Sequence, residues 1–173
     1  DTYVAVNLSP IQINDEGLAG EVRAILDRTG LPPHRLTLEV TEGSLLQDNP
    51  TVRHTMRALR SIGIRFSLDD FGTGHAGLGY LRRFPFDGIK IDKLFIQDMV
   101  EQPDAAAIVN ALLAVSAELH LDVIAEGVET EAQFKALKQR QCRLVQGHYA
   151  ARPLAGDDVR HFIAAHRPKT AVL

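Results

Sequence analysis

Apolar and polar residues alternate in six short runs along the chain, and between those runs apolar residues recur at helical spacing. The runs Tyr3–Leu8, Leu36–Thr41, Phe66–Asp70, Gly88–Asp92, Asp122–Gly127 and Leu144–Gly147 read as strands, because their apolar positions fall two apart. Ser9-Pro10 stops the first of them. Glu16 to Thr29 carries Leu18, Val22, Ile25 and Leu26, a helical spacing closed by Gly30. The next helix opens near Pro50, carries Val52, Met56, Leu59 and Ile62, and closes on Gly63. A short helical piece from Gly77 to Arg83 leads to the fourth strand. A long helix capped by Asp104 runs through Leu119, and its apolar face is expected at Ile108, Leu112, Val115 and Leu119. Glu129 to Arg140 is helical with Phe134 and Leu137 inward, and a last helix covers about 157–166.

Strands that alternate with helices throughout predict an α/β fold with a parallel sheet and crossover helices. A doubly wound sheet and a barrel both satisfy that order. What separates them is the content of the strand ends: Asn7, Glu39, Asp69, Lys90, Glu126 and Gln146 fall at or near the C-terminal ends of the six strands. A doubly wound sheet gathers functional groups at one switch point, whereas a barrel brings every C-terminal end to one mouth. The barrel is favoured. A closed barrel of this kind has eight strands, and six are counted.

Composition narrows the function without naming it. The chain has 173 residues, enough for one domain, with a formal net charge of −3. That balance gives no broad electrostatic footprint for DNA or RNA. The most apolar stretch, Ile108 to Ala117, contains Asn110 and is too short to span a bilayer, so no membrane contact is expected of this domain. One cysteine, Cys142, suits a reducing compartment, and the cytoplasm is the expected location, with any membrane tether supplied from upstream. Seven histidines lack metal-ligand spacing, and His75 and His148 read as surface residues.

The chemistry lies in the strand ends. Phe66 to Gly74 begins as an alternating strand and breaks into Asp69-Asp70, then Phe71, Gly72, Thr73 and Gly74. Taken alone, the doublet suits either a strand end supplied with metal ions or basic partners or a solvated Asp-Asp turn. If the six ends converge, Glu39, Glu42, Asp69, Asp70, Glu126 and Glu129 share one mouth with Asn7, Gln146 and Lys90. That many carboxylates ionise together only with cations present, and an oxygen-only donor set favours Mg²⁺ or Mn²⁺. A two-metal centre follows, whose usual chemistry is in-line displacement at phosphorus. Lys90 lies between Ile89 and Ile91 and points away from both, so it needs a polar mouth; Asp92 shares its face and is expected to pair with it. Glu42 and Glu129, at helix starts, also suit simple dipole or capping roles. The glycine loop after Asp70 suits either a phosphate cradle or a hinge.

Six segments taken together resemble the EAL domains of bacterial cyclic di-GMP signalling. They are Val6-Asn-Leu-Ser-Pro10, Leu38-Glu-Val-Thr-Glu42, Leu68-Asp-Asp-Phe-Gly-Thr-Gly74, Ile89-Lys-Ile-Asp92, Ala125-Glu-Gly-Val-Glu-Thr130, and Gln146-Gly-His-Tyr149 with Pro153. The resemblance implies a modified TIM-type (β/α)8 barrel and a phosphodiesterase that hydrolyses cyclic di-GMP to linear pGpG with two Mg²⁺ or Mn²⁺ ions. It implies Asn7, Glu39 and Asp69 as ligands of one ion, with Asp69 bridging to a second held also by Asp70 and Glu126. Lys90 would orient the attacking water, Glu126 is a candidate base, Glu42 would anchor the loop Phe71–Gly74, and Glu129 and Gln146 would lie on the substrate side. It further implies a homodimer through the barrel loops and upstream sensory or GGDEF domains.

Nothing in the chain matches the Glu-Ala-Leu strand that names the family, nor its neighbouring arginine. Residues 1–173 are therefore expected to be a single EAL domain lacking its first two strands, which accounts for six strands in place of eight. The alternative function is an inactive EAL module serving as a cyclic di-GMP receptor or protein-interaction domain.

Overall fold

A computed structural model of the chain describes residues 2–45, 49–72 and 79–166. Strands β1 (Val4–Asn7), β2 (Leu36–Thr41), β3 (Arg65–Phe71), β4 (Gly88–Ile91), β5 (Asp122–Glu126) and β6 (Leu144–Gln146) form one sheet in chain order. Every adjacent pair is parallel. An order that never reverses has no switch point, so the doubly wound alternative is excluded and the sheet is a six-stranded half-barrel. The helices between the strands are α1 (Pro10–Ile13), α2 (Leu18–Thr29), α3 (Glu42–Leu45), α4 (Pro50–Ile62), α5 (Gly79–Arg83), α6 (Lys93–Asp98), α7 (Pro103–Glu118) and α8 (Glu131–Gln139), and α9 (Gly156–Ala165) follows β6.

Alternation along the strands sorts the two faces of the sheet. Leu38, Val40, Phe66, Leu68, Ile89, Ile91 and Ala125 are buried together with helix residues such as Val52, Met56 and Leu59 of α4. The intervening positions Glu39, Ser67, Asp69, Lys90 and Glu126 take the opposite face. Register then aligns them from strand to strand: Asn7 pairs with Glu39, Glu39 with Ser67, Thr41 with Asp69, and Glu126 with Gln146. Hydrophobic burial on one face thereby fixes polar groups on the other, because a one-residue slip would exchange the faces.

The structure departs from the sequence expectations at several helices. Ser9-Pro10 ends β1 but also starts α1: the Ser9 hydroxyl accepts from Gln12 N, Gln12 Oε1 accepts from Ser9 N at 3.0 Å, and Pro10 occupies the first turn. Helix α6 was not expected from the pattern, and the Asp92 carboxylate caps it by accepting from Leu94 N at 2.7 Å. In α7 the capping position is Gln102, and Asp104 lies in the first turn, accepting from Ala105 N. The buried face of α7 is Ala105, Val109 and Ser116, whereas Ile108 and Leu119 are each 42% exposed. That helix is apolar nearly all round, so its sequence carries little contrast between faces.

Candidate active site

The centre of the polar face is the Lys90 ammonium group, which is almost wholly buried. It donates to Glu39 Oε2 at 2.8 Å, to Asp69 Oδ1 at 3.0 Å and to Glu126 Oε1 at 2.7 Å. Strands β2, β3, β4 and β5 each contribute one of these four side chains. The three carboxylates hold the Lys90 proton against the opposing effect of burial, which is the largest single influence and favours the neutral amine; the net result raises its pKa well above the ordinary lysine value. The expected Asp92–Lys90 pair does not form in this way. Asp92 caps α6 and shares a hydrogen bond with the Asp70 carboxyl group, because the end of β4 turns directly into that helix.

A local irregularity brings the adjacent aspartates to one place. Between β3 and β4 the pairing runs Leu68 with Ile89 and then Phe71 with Ile91, so three steps along β3 match two along β4. A regular strand would send Asp69 and Asp70 to opposite faces. The bulge, with Asp70 in the left-handed region at φ 54°, cancels that separation. Asp69, Asp70 and Glu126 consequently place one carboxylate oxygen each within 4.8 Å of one another. Asp69 is buried, Glu126 half-buried and Asp70 exposed.

The electrostatics of this group demand further cations. Burial raises the Glu126 pKa above the usual carboxylate value although Lys90 opposes it. Asp70 is raised by burial and then by the charges of Asp69 and Asp92. A single lysine does not neutralise Glu39, Asp69, Asp70 and Glu126. The oxygen-only donor set and the spacing of Asp69, Asp70 and Glu126 fit a hard divalent cation, and the fit of Asp70 in particular depends on the bulge.

The loop after Asp70 is tied down at its start. Gly72 N donates to Glu42 Oε1 at 3.1 Å, and Glu42 is buried at the beginning of α3. Gly72 has φ 101°, and a Cβ there would lie 2.8 Å from Phe95 Cε2 of α6, so both conformation and space call for glycine. Phe71 is buried in the core. Thr73 and Gly74 lie outside the described residues, as does His75.

The remaining sequence candidates are peripheral to the Lys90 group. Asn7 and Gln146 are exposed on the two edge strands, Asn7 beside Glu39 and Gln146 beside Glu126 in register. Glu129 is exposed just before the Thr130 cap of α8, and its backbone N–H donates to Gln133 Oε1. His148 is exposed, as expected. The role of Asp92 against Asp70 was missed; its signal was an aspartate directly before an apolar helix-forming run, Lys93 to Ile96.

The EAL domain family model matches residues 1–153. The cyclic di-GMP phosphodiesterase NbdA of Pseudomonas aeruginosa is 40% identical over 164 residues, covering 95% of this chain and 21% of that protein. The solved structure described as the PaMucR phosphodiesterase in complex with c-di-GMP superposes with a TM-score of 0.84 at 41% identity, covering 91% of this chain and 64% of that one. The Klebsiella pneumoniae BlrP1 complex with manganese and cyclic di-GMP superposes with a TM-score of 0.79 at 34% identity, covering 84% of this chain and 37% of that one. The chain spans about a fifth to a quarter of the length of the curated relatives it matches first.

Proposed function

The chain belongs to the EAL domain family, and on that basis we propose that it is the metal-dependent phosphodiesterase domain that opens cyclic di-GMP to linear pGpG. The observation that carries the proposal is the convergence of Glu39, Asp69 and Glu126 on Lys90 with Asp70 alongside, drawn from four strand ends. A receptor needs phosphate and base contacts but no such concentration of buried charge. The relatives and neighbours whose descriptions name cyclic di-GMP or its hydrolysis support the same substrate.

Asn7, Glu39 and Asp69 would hold one Mg²⁺ or Mn²⁺ ion, and Asp69, Asp70 and Glu126 a second. When bound, two such ions supply Lewis acidity at the phosphoryl group and a lowered pKa for water. The chain's own groups divide the remaining work. The three N–H groups of Lys90 Nζ are engaged by Glu39, Asp69 and Glu126, and the one released when a carboxylate turns to bind an ion would orient the attacking water. A Glu126 carboxylate oxygen accepts the water proton. The water oxygen bonds to phosphorus as one P–O3′ bond breaks, and the departing 3′ oxygen takes up a proton, leaving a 5′-phosphate and a free 3′ hydroxyl. Gln146 and Glu129, both exposed, would contact the dinucleotide, and Glu42 holds the start of the loop through Gly72.

Dimer contact through the barrel loops, and sensory or GGDEF partners in the same polypeptide, belong to the same proposal. The short share of each relative that this chain matches is consistent with such partners. Incubation with cyclic di-GMP and Mn²⁺ or Mg²⁺, followed by chromatography, should yield pGpG. EDTA and Asp69→Ala should each abolish it. Metal-dependent binding of cyclic di-GMP without product would replace the phosphodiesterase by a receptor.

A further inference from the structure

At the opposite ends of β3 and β4 from the acidic mouth, the sequence concentrates positive charge. Helix α4 carries Arg57 and Arg60 near its end, just before β3, and α5 ends in Arg82-Arg83, just before the Phe84-Pro85 connection to β4. These four arginines line one shallow cleft of about 440 Å³ with Ser61, Phe84 and Pro85. All four are exposed, in a chain whose net charge is −3. Four of the chain's 19 lysines and arginines thus meet at this cleft.

The cleft is organised around one fixed guanidinium group. Arg60 Nη1 donates to Pro85 O and, at 3.2 Å, to Asp87 Oδ2. Asp87 is itself held, since the same oxygen accepts from Phe66 N at 2.9 Å at the start of β3. Arg60 thus joins α4 to the connection that leads into β4. Among the described residues neither Arg57 nor Arg82 has a hydrogen-bond or ion-pair partner, so their donors face the cleft or solvent. Like charges gathered on two converging elements repel one another, and an anion with several oxygens would relieve that repulsion while accepting guanidinium hydrogen bonds in pairs. Phe84, the aromatic residue among those lining the cleft, is buried, so recognition falls to the arginines.

We propose that this cleft is a second anion site, separate from the mouth, which takes the polyphosphate group of a small ligand. The four arginines meet at one small, shallow cleft, a footprint that suits a compact polyphosphate. Inorganic tripolyphosphate and a nucleoside triphosphate offer the same chemistry, and recognition here rests on the phosphates. The proposal does not depend on the phosphodiesterase reading, and the test separates the two, because without divalent metal the acidic mouth repels anions.

The test is isothermal titration calorimetry in low-salt buffer containing EDTA, with tripolyphosphate, GTP and guanosine as separate titrants. One tripolyphosphate per chain is expected, GTP should bind with similar affinity, and guanosine should not bind. Affinity should fall with added salt. Arg57→Ala and Arg82→Ala, exposed changes that leave the core untouched, should each weaken binding about tenfold, the loss of one charge-assisted contact. Absence of tripolyphosphate binding would overturn the proposal, as would binding unchanged in the Arg57→Ala/Arg82→Ala double variant. Binding of guanosine alone would also overturn it. Adsorption to phosphatidylglycerol vesicles without tripolyphosphate binding would assign the arginines to a membrane and overturn the small-ligand site.

Discussion

Lys90→Met tests whether the buried ammonium holds the site together as well as serving the reaction. Methionine preserves most of the apolar stem and removes the charge that three carboxylates share at 2.7, 2.8 and 3.0 Å. Removing one partner of a buried ion pair costs about 3–5 kcal/mol, because the remaining charge stays buried without compensation. Three carboxylates lose their common donor here, though Glu126 is half-buried and recovers some solvation, so about 4 kcal/mol is the expected loss in EDTA at pH 7. For a chain of this size that is a fall in Tm of roughly 10 °C. The folded-state pKa of Lys90 is raised above its unfolded value, so its stabilisation is fully present below the ordinary lysine pKa and fades only as pH rises beyond it. The wild-type contribution is therefore intact at both pH 7 and pH 5. The variant differs: Glu126, whose pKa burial already raises, loses its lysine partner and takes up a proton more readily as pH falls towards 5, so the deficit should shrink. Added Mn²⁺ should shrink it at pH 7 by supplying the missing charge. Urea denaturation in EDTA, at both pH values and then with Mn²⁺, measures all three. A loss under about 1 kcal/mol at pH 7, or a loss unchanged by pH and metal, would refute the view that Lys90 neutralises these acids.

Asp70→Asn should stabilise the protein in EDTA at pH 7 by about 0.5–1 kcal/mol while weakening Mn²⁺ binding about tenfold or more. It removes like-charge repulsion from Asp69 and Asp92, and asparagine tolerates the left-handed backbone at this position; thermal denaturation and Mn²⁺ titration read the two effects. Wild-type stability in EDTA should fall as pH rises through the range between the ordinary carboxylate values of Asp70 and Glu126 and their raised values, since each takes up a proton more readily when folded. A pH series of urea midpoints shows this, and Asp70→Asn should flatten it. Gly72→Ala should cost about 1–3 kcal/mol, from its φ of 101° and the 2.8 Å approach of a Cβ to the Phe95 ring, and should depress activity further by moving the loop that follows Asp70. Urea midpoints and turnover measured on the same preparation separate the two losses.

Much of this architecture is written in local pattern. Leu36 to Thr41 alternates so cleanly that strand bounds and face both follow from it, and Gly30 and Gly63 mark helix ends because each adopts the left-handed conformation there. The strand order and the gathering of strand-end acids follow from repeated crossovers of one kind. Other features depend on tertiary context. Period-two logic separates Asp69 from Asp70, and their meeting requires a bulge defined by the register between β3 and β4, which neither strand's own sequence encodes. Asp92 could serve Lys90 or cap a helix, and the capping role wins because α6 begins at once. In α7, Ile108 and Val109 are equally apolar, so only the packing shows that Val109 faces inward. The Ser9-to-Gln12 capping box was visible in the sequence and was hidden by reading Pro10 only as a stop.

The central claim is hydrolysis at phosphorus by water held among Lys90, Glu126 and the aspartates of β3. Its most direct test is mass spectrometry of the product formed from cyclic di-GMP with Mn²⁺ in ¹⁸O-labelled water. The prediction is pGpG carrying one ¹⁸O atom on its terminal 5′-phosphate, formed by the wild-type protein and absent with Asp69→Ala. Recovery of intact cyclic di-GMP, bound in a metal-dependent manner but never opened, would contradict it.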